Sequence, residues 1–384
     1  MKRSGLFVVA LGYILFVQPA MAGWTPAQRL TWTSGWSMVP AIAIGGSNTL
    51  YVVWEDDTSG HSEVYFKRSP DGGVTWDPMK RLTWTTNHSW RPGVAAGSGG
   101  AVVVVWEEHD NTGQGAEIFY KRSTDGGNSW GAAQRLTWTS NMSGNPDIAS
   151  SPGGVIQVVW EGSQSGDPEI YTKTSTDDGG TWSASKRLTW MSGLSFEADV
   201  AVDSGNGIHV AWDDDVSGGL EIYYRGSPDG GLTWGTAKRL TWSSDSSYFP
   251  AVAADSKGGV HVVWRGNTPA NYEVFYKSSP DGGATWMAAK RLTWATGSSE
   301  APDLAIDSND LIHLVWQDDA PGNSEIYHKT SGDGGASWSS AARLTWTSGH
   351  SGIPALAIDS KYNVHIVWYD DAPGNFEIYY KRGQ

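Results

Sequence analysis

The chain has 384 residues, 41 of them Asp or Glu and 27 Lys or Arg, for a net charge of −14 near neutral pH. That acidity argues against nucleic acid and anionic membrane surfaces as partners, since both attract basic faces. With no cysteine there are no disulfides, thiolates or Cys-ligated zinc, and 48 Gly with 23 Trp suit tight turns and aromatic wedges better than helices.

From the start of the chain, Met1-Lys2-Arg3 precedes an apolar run and then Pro19-Ala20-Met21-Ala22. A charged start, a short apolar core and an Ala-x-Ala site read as a secretory leader over residues 1–22, cleaved near Ala22, so the protein is expected to be secreted or periplasmic. The run is too short for a membrane span, and no membrane insertion is expected.

Residues 39–84 display the unit from which the remainder is built. Segment 40–44 predicts a first strand, 45–48 a turn, 50–54 a second strand rich in β-branched and aromatic residues, and 55–60 a polar loop. A third strand follows over 63–67, a turn over 69–76, and a fourth strand over 76–84. The turn reads Ser-Pro-Asp-Gly-Gly-Val-Thr-Trp. It returns at 123–130, 175–182, 227–234, 279–286 and 331–338, with Ser129 and Ser337 in place of Thr. Arg-Leu-Thr-Trp follows each octet and occurs seven times between Arg29 and Arg343, at steps of 52 residues and once 54.

Four strands in a repeat of this length make a propeller blade. The first two strands are almost continuously apolar, as in a sheet covered on both faces. The expected fold is all-β: a seven-bladed β-propeller of four-stranded antiparallel blades over 23–384. Trp24 stands five residues before Arg29, the spacing each octet Trp keeps, while 376–382 is a third strand with no octet after it. The N-terminal segment is therefore expected to supply the outer strand of the last blade, hiding two sheet edges.

These octets resemble the Asp-boxes of the sialidase-like, BNR-repeat β-propellers. In that family the boxes lie on the rim away from the active face, which makes Asp71, Asp125, Asp177, Asp229, Asp281 and Asp333 structural. The local chemistry agrees, because Asp accepts amide hydrogen bonds within its own turn and Gly supplies a positive φ. A calcium loop would need more oxygen ligands, so neither metal nor cofactor is expected. The opposite face carries the loops after Trp54 and after Trp84, and the resemblance implies that it is the ligand or active face.

Most tryptophans hold repeat positions and read as packing. Trp36 and Trp90 do not, and are candidates for ligand contact. Subtracting the repeat at the mouth of the ring leaves Trp90, Arg91, Phe196, Glu197, Tyr248 and Glu300 as further candidates, with Arg265 after a second strand. Asp147, Asp199 and Asp303 replace Ala or Gly of other blades and are further ligand candidates, expected to line the axial channel and hold a cation or sugar hydroxyls. Glu63 and its six equivalents open third strands beside the Arg of each tetrad, an expected cross-strand ion pair. His209, His261, His313 and His365 share a position that elsewhere holds Tyr51, Val103 and Gln157, which makes them structural.

Sialidases of this fold clamp a substrate carboxylate with three arginines and use a Tyr nucleophile, a Glu and an Asp acid/base. Here Trp90-Arg91-Pro92 is the nearest match to the first clamp motif, and only Arg91 and Arg265 lie outside repeat and leader positions. Tyr248 with Glu197 or Glu300 is the available nucleophile–base pairing. The near-identity of the blades argues against one asymmetric active site. The chain is also similar in organisation to bacterial seven-bladed propeller lectins. The expectation is therefore a non-catalytic, lectin-like module binding a glycan or glycoconjugate. The alternatives are an exo-glycosidase of the sialidase type and a scaffold for a protein partner.

Overall fold

A computed structural model describes residues 23–109, 115–139 and 141–384; the leader reading falls outside them. Seven separate four-stranded antiparallel sheets follow one another along the chain. Blade 1 comprises Ser37–Ile44, Leu50–Asp56, Glu63–Ser69 and Lys80–Arg81. The inner strands of blades 2 to 7 are His88–Ala96, Ser143–Ser150, Ser195–Val202, Ser247–Ala254, Ser299–Ile306 and Ser351–Ile358. Among the described residues no helix is long and apolar enough to cross a membrane.

Closure is as the spacing predicts. Gln28–Arg29 is the outer strand of blade 7, pairing with Tyr380 and Tyr379, and Trp24 bridges Gly383. The core lies between blades. Val53 and Val64 of blade 1, for instance, pack with Val102, Val104 and Trp106 of blade 2, and the Trp ending each second strand is at most 2% exposed.

The fourth strand differs from expectation: it is two residues long instead of spanning 76–84. The Arg-Leu-Thr-Trp tetrad explains why. Arg81 donates to Glu63 at 2.6 Å, Leu82 is buried, and Leu82 N–H donates to Val64 O at 2.7 Å. The next ladder bond is replaced by a side chain, with Val64 N–H donating to Thr83 Oγ1 at 2.9 Å, so the backbone turns away while the sheet edge stays satisfied. The Glu–Arg pair recurs in all seven blades.

The boxes are turn modules that also join blades. Ser69 Oγ donates to Asp71 Oδ1 at 2.8 Å, and Thr75 gives its N–H and its hydroxyl to the same carboxylate at 2.9 and 2.6 Å. Both oxygens are thus taken by the turn. Equivalent bonds from the following Ser or Thr hold Asp125, Asp281 and Asp333 down at about 2. Gly73 has φ +85°, and a Cβ there would lie 1.8 Å from the Tyr380 hydroxyl of blade 7. Behind the boxes, His209, His261 and His365 contact Tyr224, Tyr276 and Tyr380 hydroxyls at 2.7 Å. They are internal struts, as expected.

Candidate functional site

Strand direction places the octets on one face with the first-to-second-strand turns. The second-to-third-strand loops and the loops leading into each inner strand share the other face. At that second face every inner strand carries a bulge, and its bulged residue has positive φ in all seven blades: Val39, Arg91, Asn145, Glu197, Phe249, Ala301 and Ile353, between 44° and 50°. The strand register shifts at each, as between Trp90 and Gly93. A left-handed conformation is costly for non-glycine residues, above all for β-branched Val39 and Ile353.

The preceding blade holds most of these bulges in place. Glu55 accepts the Arg91 N–H at 2.8 Å, Glu107 that of Asn145 at 2.6 Å, and Glu161 that of Glu197 at 2.7 Å. Asp213 accepts from Phe249 at 3.2 Å, and Gln317 from Ile353 at 2.8 Å. These acceptors follow the buried second-strand tryptophans, a position sequence reasoning did not subtract. Doing so leaves Glu55, Glu107, Glu161, Asp213, Arg265, Gln317 and Tyr369, which vary as the bulges do.

The candidates sort into two clusters. A cleft of about 390 Å³ over blades 1 to 3 gathers Trp90, Arg91, Glu55, Glu107, His109, Asn145 and Glu161. Asn145 Nδ2 donates to Glu161 at 2.9 Å and to Glu197 at 2.8 Å, which draws Glu197 into this group. Burial, with neighbouring carboxylates adding to it, pushes Glu55 and Glu161 up to about 7 and Asp213 up to about 8. Burial opposes ionisation of Glu107 too, but hydrogen bonds from His109 and Asn145 prevail and keep it below the ordinary range.

The second cluster lies over blades 5 and 6. The Arg265 guanidinium sits 4.8, 4.8 and 4.3 Å from the ring centroids of Tyr248, Phe249 and Tyr272, and 3.3 Å from Glu300. Arg265 is thus committed within the protein, and Arg91 belongs to the other cluster, so the two arginines do not form a clamp. Phe196 is half-buried on blade 4 opposite Asp213. Trp36 stands apart, 54% exposed with its edge toward Phe376.

Two expectations change. Asp147, Asp199 and Asp303 do face the axis, yet each accepts an amide of the next blade: Val200 at 2.8 Å, Val252 at 2.7 Å and Leu356 at 2.9 Å. They stitch inner strands together instead of waiting for a ligand. Burial, and for Asp199 the neighbouring Asp147, raises all three above the ordinary carboxylate range.

The tetrad tryptophans, read as packing, are on the surface. Trp32, Trp84, Trp138, Trp190, Trp242 and Trp294 are 63–70% exposed and Trp346 39%. The short outer strand is the cause, since the chain has left the sheet by the time Trp arrives. Each stands where blades meet. Lys67 of blade 1 donates to Leu30 O at 2.7 Å and lies 5.5 Å from the Trp32 ring, with Arg29 at 5.6 Å. A groove of about 340 Å³ beside Trp242 is lined by Thr241, Ser243, Ser247, Asn267, Phe275 and Lys277.

A model of the BNR repeat-like domain family matches residues 100–314. No curated protein sequence matches the chain. Among solved structures, a protein of unknown function from Dyadobacter fermentans is similar over 93% of this chain and 98% of its own, at 16% identity and a TM-score of 0.58. The Trypanosoma rangeli sialidase, solved with sialic acid, is 12% identical with a TM-score of 0.56; 93% of this chain aligns with 59% of that longer one. An α-L-arabinofuranosidase from Fusarium graminearum is 16% identical with a TM-score of 0.55, over 76% of this chain and 92% of its own. Such identities speak for the fold alone. The chain belongs to the BNR repeat-like domain family and is a sialidase-like propeller.

Proposed function

We propose that this is an exported, lectin-like propeller that binds neutral carbohydrate at its rim of exposed tryptophans. The observation that carries the reading is the repeated indole, present seven times in one setting and exposed where a core residue would be buried. Sugar rings have apolar faces that stack on such platforms. Ser243 and Asn267 beside Trp242 supply donors and acceptors for hydroxyls. Individually weak sites spaced round a ring gain from avidity toward a polyvalent glycan. Against a sialidase stands the dispersal of Arg91 and Arg265, since a substrate carboxylate needs a converging clamp.

A glycan array followed by titration calorimetry tests this. Wild type is expected to retain neutral glycans, and Trp84→Ala with Trp242→Ala to lower the stoichiometry by about two sites. Both exposed changes leave stability within about 0.5 kcal/mol. Trp106→Ala, in the core, costs about 3–5 kcal/mol. An array with no retained glycan, or undiminished binding by the double variant, would sink the proposal.

A further inference from the structure

The mouth of the ring has a property the rim does not share: its charges are segregated. The bulge-holding position carries Glu55, Glu107, Glu161 and Asp213 on blades 1 to 4, then Arg265, Gln317 and Tyr369 on blades 5 to 7. With Glu197, five carboxyl groups gather on one half; the Arg91 guanidinium acts on Glu55, Glu107 and Glu161, and His109 Nε2 lies 3.1 Å from Glu107. Arg91 lies at the exposed edge of the cleft, and its side chain makes no ion pair among the described residues. Asp213, on blade 4 and outside the lining of that cleft, is only 1% exposed and accepts the Phe249 N–H.

We infer that this half of the mouth binds a ligand bearing a positively charged primary amine, its carbon skeleton resting against Trp90 in the cleft between Glu107 and Glu161. The cleft has room for a monosaccharide-sized molecule. An ammonium group offers three donors, enough to engage carboxyl oxygens from more than one blade. Trp90, packed against the His88 and His109 rings at 5.0 and 4.4 Å, lines the cleft with its remaining indole surface, against which the ammonium or the adjoining methylenes can rest. The raised proton affinities of Glu55 and Glu161 point the same way: with Arg91 as the main counter-charge, these groups do not all ionise at neutral pH. A ligand cation would let them. The same arrangement disfavours an anionic sugar, the reverse of an arginine-lined mouth.

The amine could reside on a free amino sugar or on an aliphatic chain, and calorimetry with glucosamine, N-acetylglucosamine and putrescine separates the two. At pH 6.5 glucosamine is expected to bind at least tenfold more tightly than its N-acetyl form. Glu107→Gln and Glu161→Gln should each weaken amine binding about tenfold or more, the scale of a hydrogen bond to a charged group. Neither variant should unfold the bulge, because Gln317 already accepts the Ile353 N–H in blade 6.

With putrescine, whose amines stay charged to pH 8, affinity should rise between pH 6 and 8 as protons leave Glu55 and Glu161. The groups acting on those two are Asp57, Arg91, Glu107, Asn145 and Glu197. The loss expected in Glu107→Gln and Glu161→Gln, neither of which lines the groove beside Trp242, separates the mouth from the rim. Binding of glucosamine but not putrescine assigns a sugar skeleton; binding of both shows that the amine suffices. Equal affinity for glucosamine and its N-acetyl form, no binding of either amine, or full affinity in both Gln variants overturns the inference.

Discussion

Glu377→Ala tests the closure of the ring. Glu377 is fully buried and accepts from Arg29 at 2.6 Å, from the Thr33 N–H at 3.0 Å and from Asn375 Nδ2 at 3.2 Å. Removing the carboxylate strands these donors, and a buried pair broken on one side costs about 3–5 kcal/mol. Arg29 is a quarter exposed and recovers some hydration, which brings the figure to about 3 kcal/mol. At roughly 2 cal/mol/K per residue the whole ring has an unfolding entropy of about 0.8 kcal/mol/K, so the melting temperature should fall by about 4 °C.

Glu221 makes the same clasp in blade 4, to Arg239 at 2.8 Å and the Ser243 N–H at 2.8 Å, and Glu221→Ala should cost about as much. The difference is connectivity. In blade 4 the outer strand is tethered by its own box turn, whereas in blade 7 it comes from residues 28–29, which no turn joins to that blade's third strand. Only Glu377→Ala should therefore open locally, exposing residues near Leu30 to protease and to hydrogen exchange well below the melting temperature. Calorimetry with limited proteolysis and mass spectrometry reads both quantities. Equal cleavage patterns in the two variants, or an unchanged melting temperature, would refute the account of the seam.

Two further outcomes depend on pH. His313 and His328 are 3.1 Å apart, and burial lowers them to about 4 and about 3. From about 6.5 downward the unfolded chain binds protons that the native pair refuses, so stability falls as pH drops through that window. His328→Tyr, which copies the His261–Tyr276 pairing, should make the acid limb of a melting-temperature profile shallower, and an unchanged limb would contradict this. Asp199 has the opposite sign, because its raised proton affinity makes the native state lose stability as pH rises from about 4. Asp199→Asn keeps an acceptor for the Val252 N–H, so its advantage over wild type in chemical denaturation should grow from pH 4 to pH 8. A constant difference would be inconsistent with a buried carboxyl there.

The sequence made the architecture legible because propeller blades repeat their constraints. Trp24 could be matched to a missing octet, and the Glu–Arg pair could be placed, because each keeps a spacing that recurs from blade to blade: five residues from octet Trp to tetrad Arg, and 18 from Glu63 to Arg81. What misled was the tetrad's last residue. A large apolar side chain after a buried Leu and Thr reads as more core, but alternation applies only while a strand lasts, and Thr83 ends it when its hydroxyl, in place of a backbone carbonyl, accepts the Val64 N–H. The mouth was legible in half. Arg91, Glu197 and Tyr248 stood out as departures from the repeat, but the groups that position them come from the preceding blade, as Glu55 does for Arg91 across 36 residues and Glu107 for Asn145 across 38. Only the packing of one blade on the next brings those positions together.

The same bulges explain why so regular a protein can carry an irregular mouth. The left-handed backbone at Val39, Arg91, Asn145, Glu197, Phe249, Ala301 and Ile353 is nearly identical in every blade, whatever side chain stands there. Residue preference does not produce that conformation, since Val and Ile resist it. In five of the seven blades an acceptor from the preceding blade holds the bulge amide, and six of the seven inner strands continue with a proline. With the backbone fixed from outside, the side chain is released from any duty to the fold and can differ from blade to blade. Uniform blades are therefore compatible with one asymmetric site, provided the asymmetry is confined to positions the scaffold already holds. The acid cleft around Trp90 and the caged Arg265 are two outcomes of that freedom on one ring.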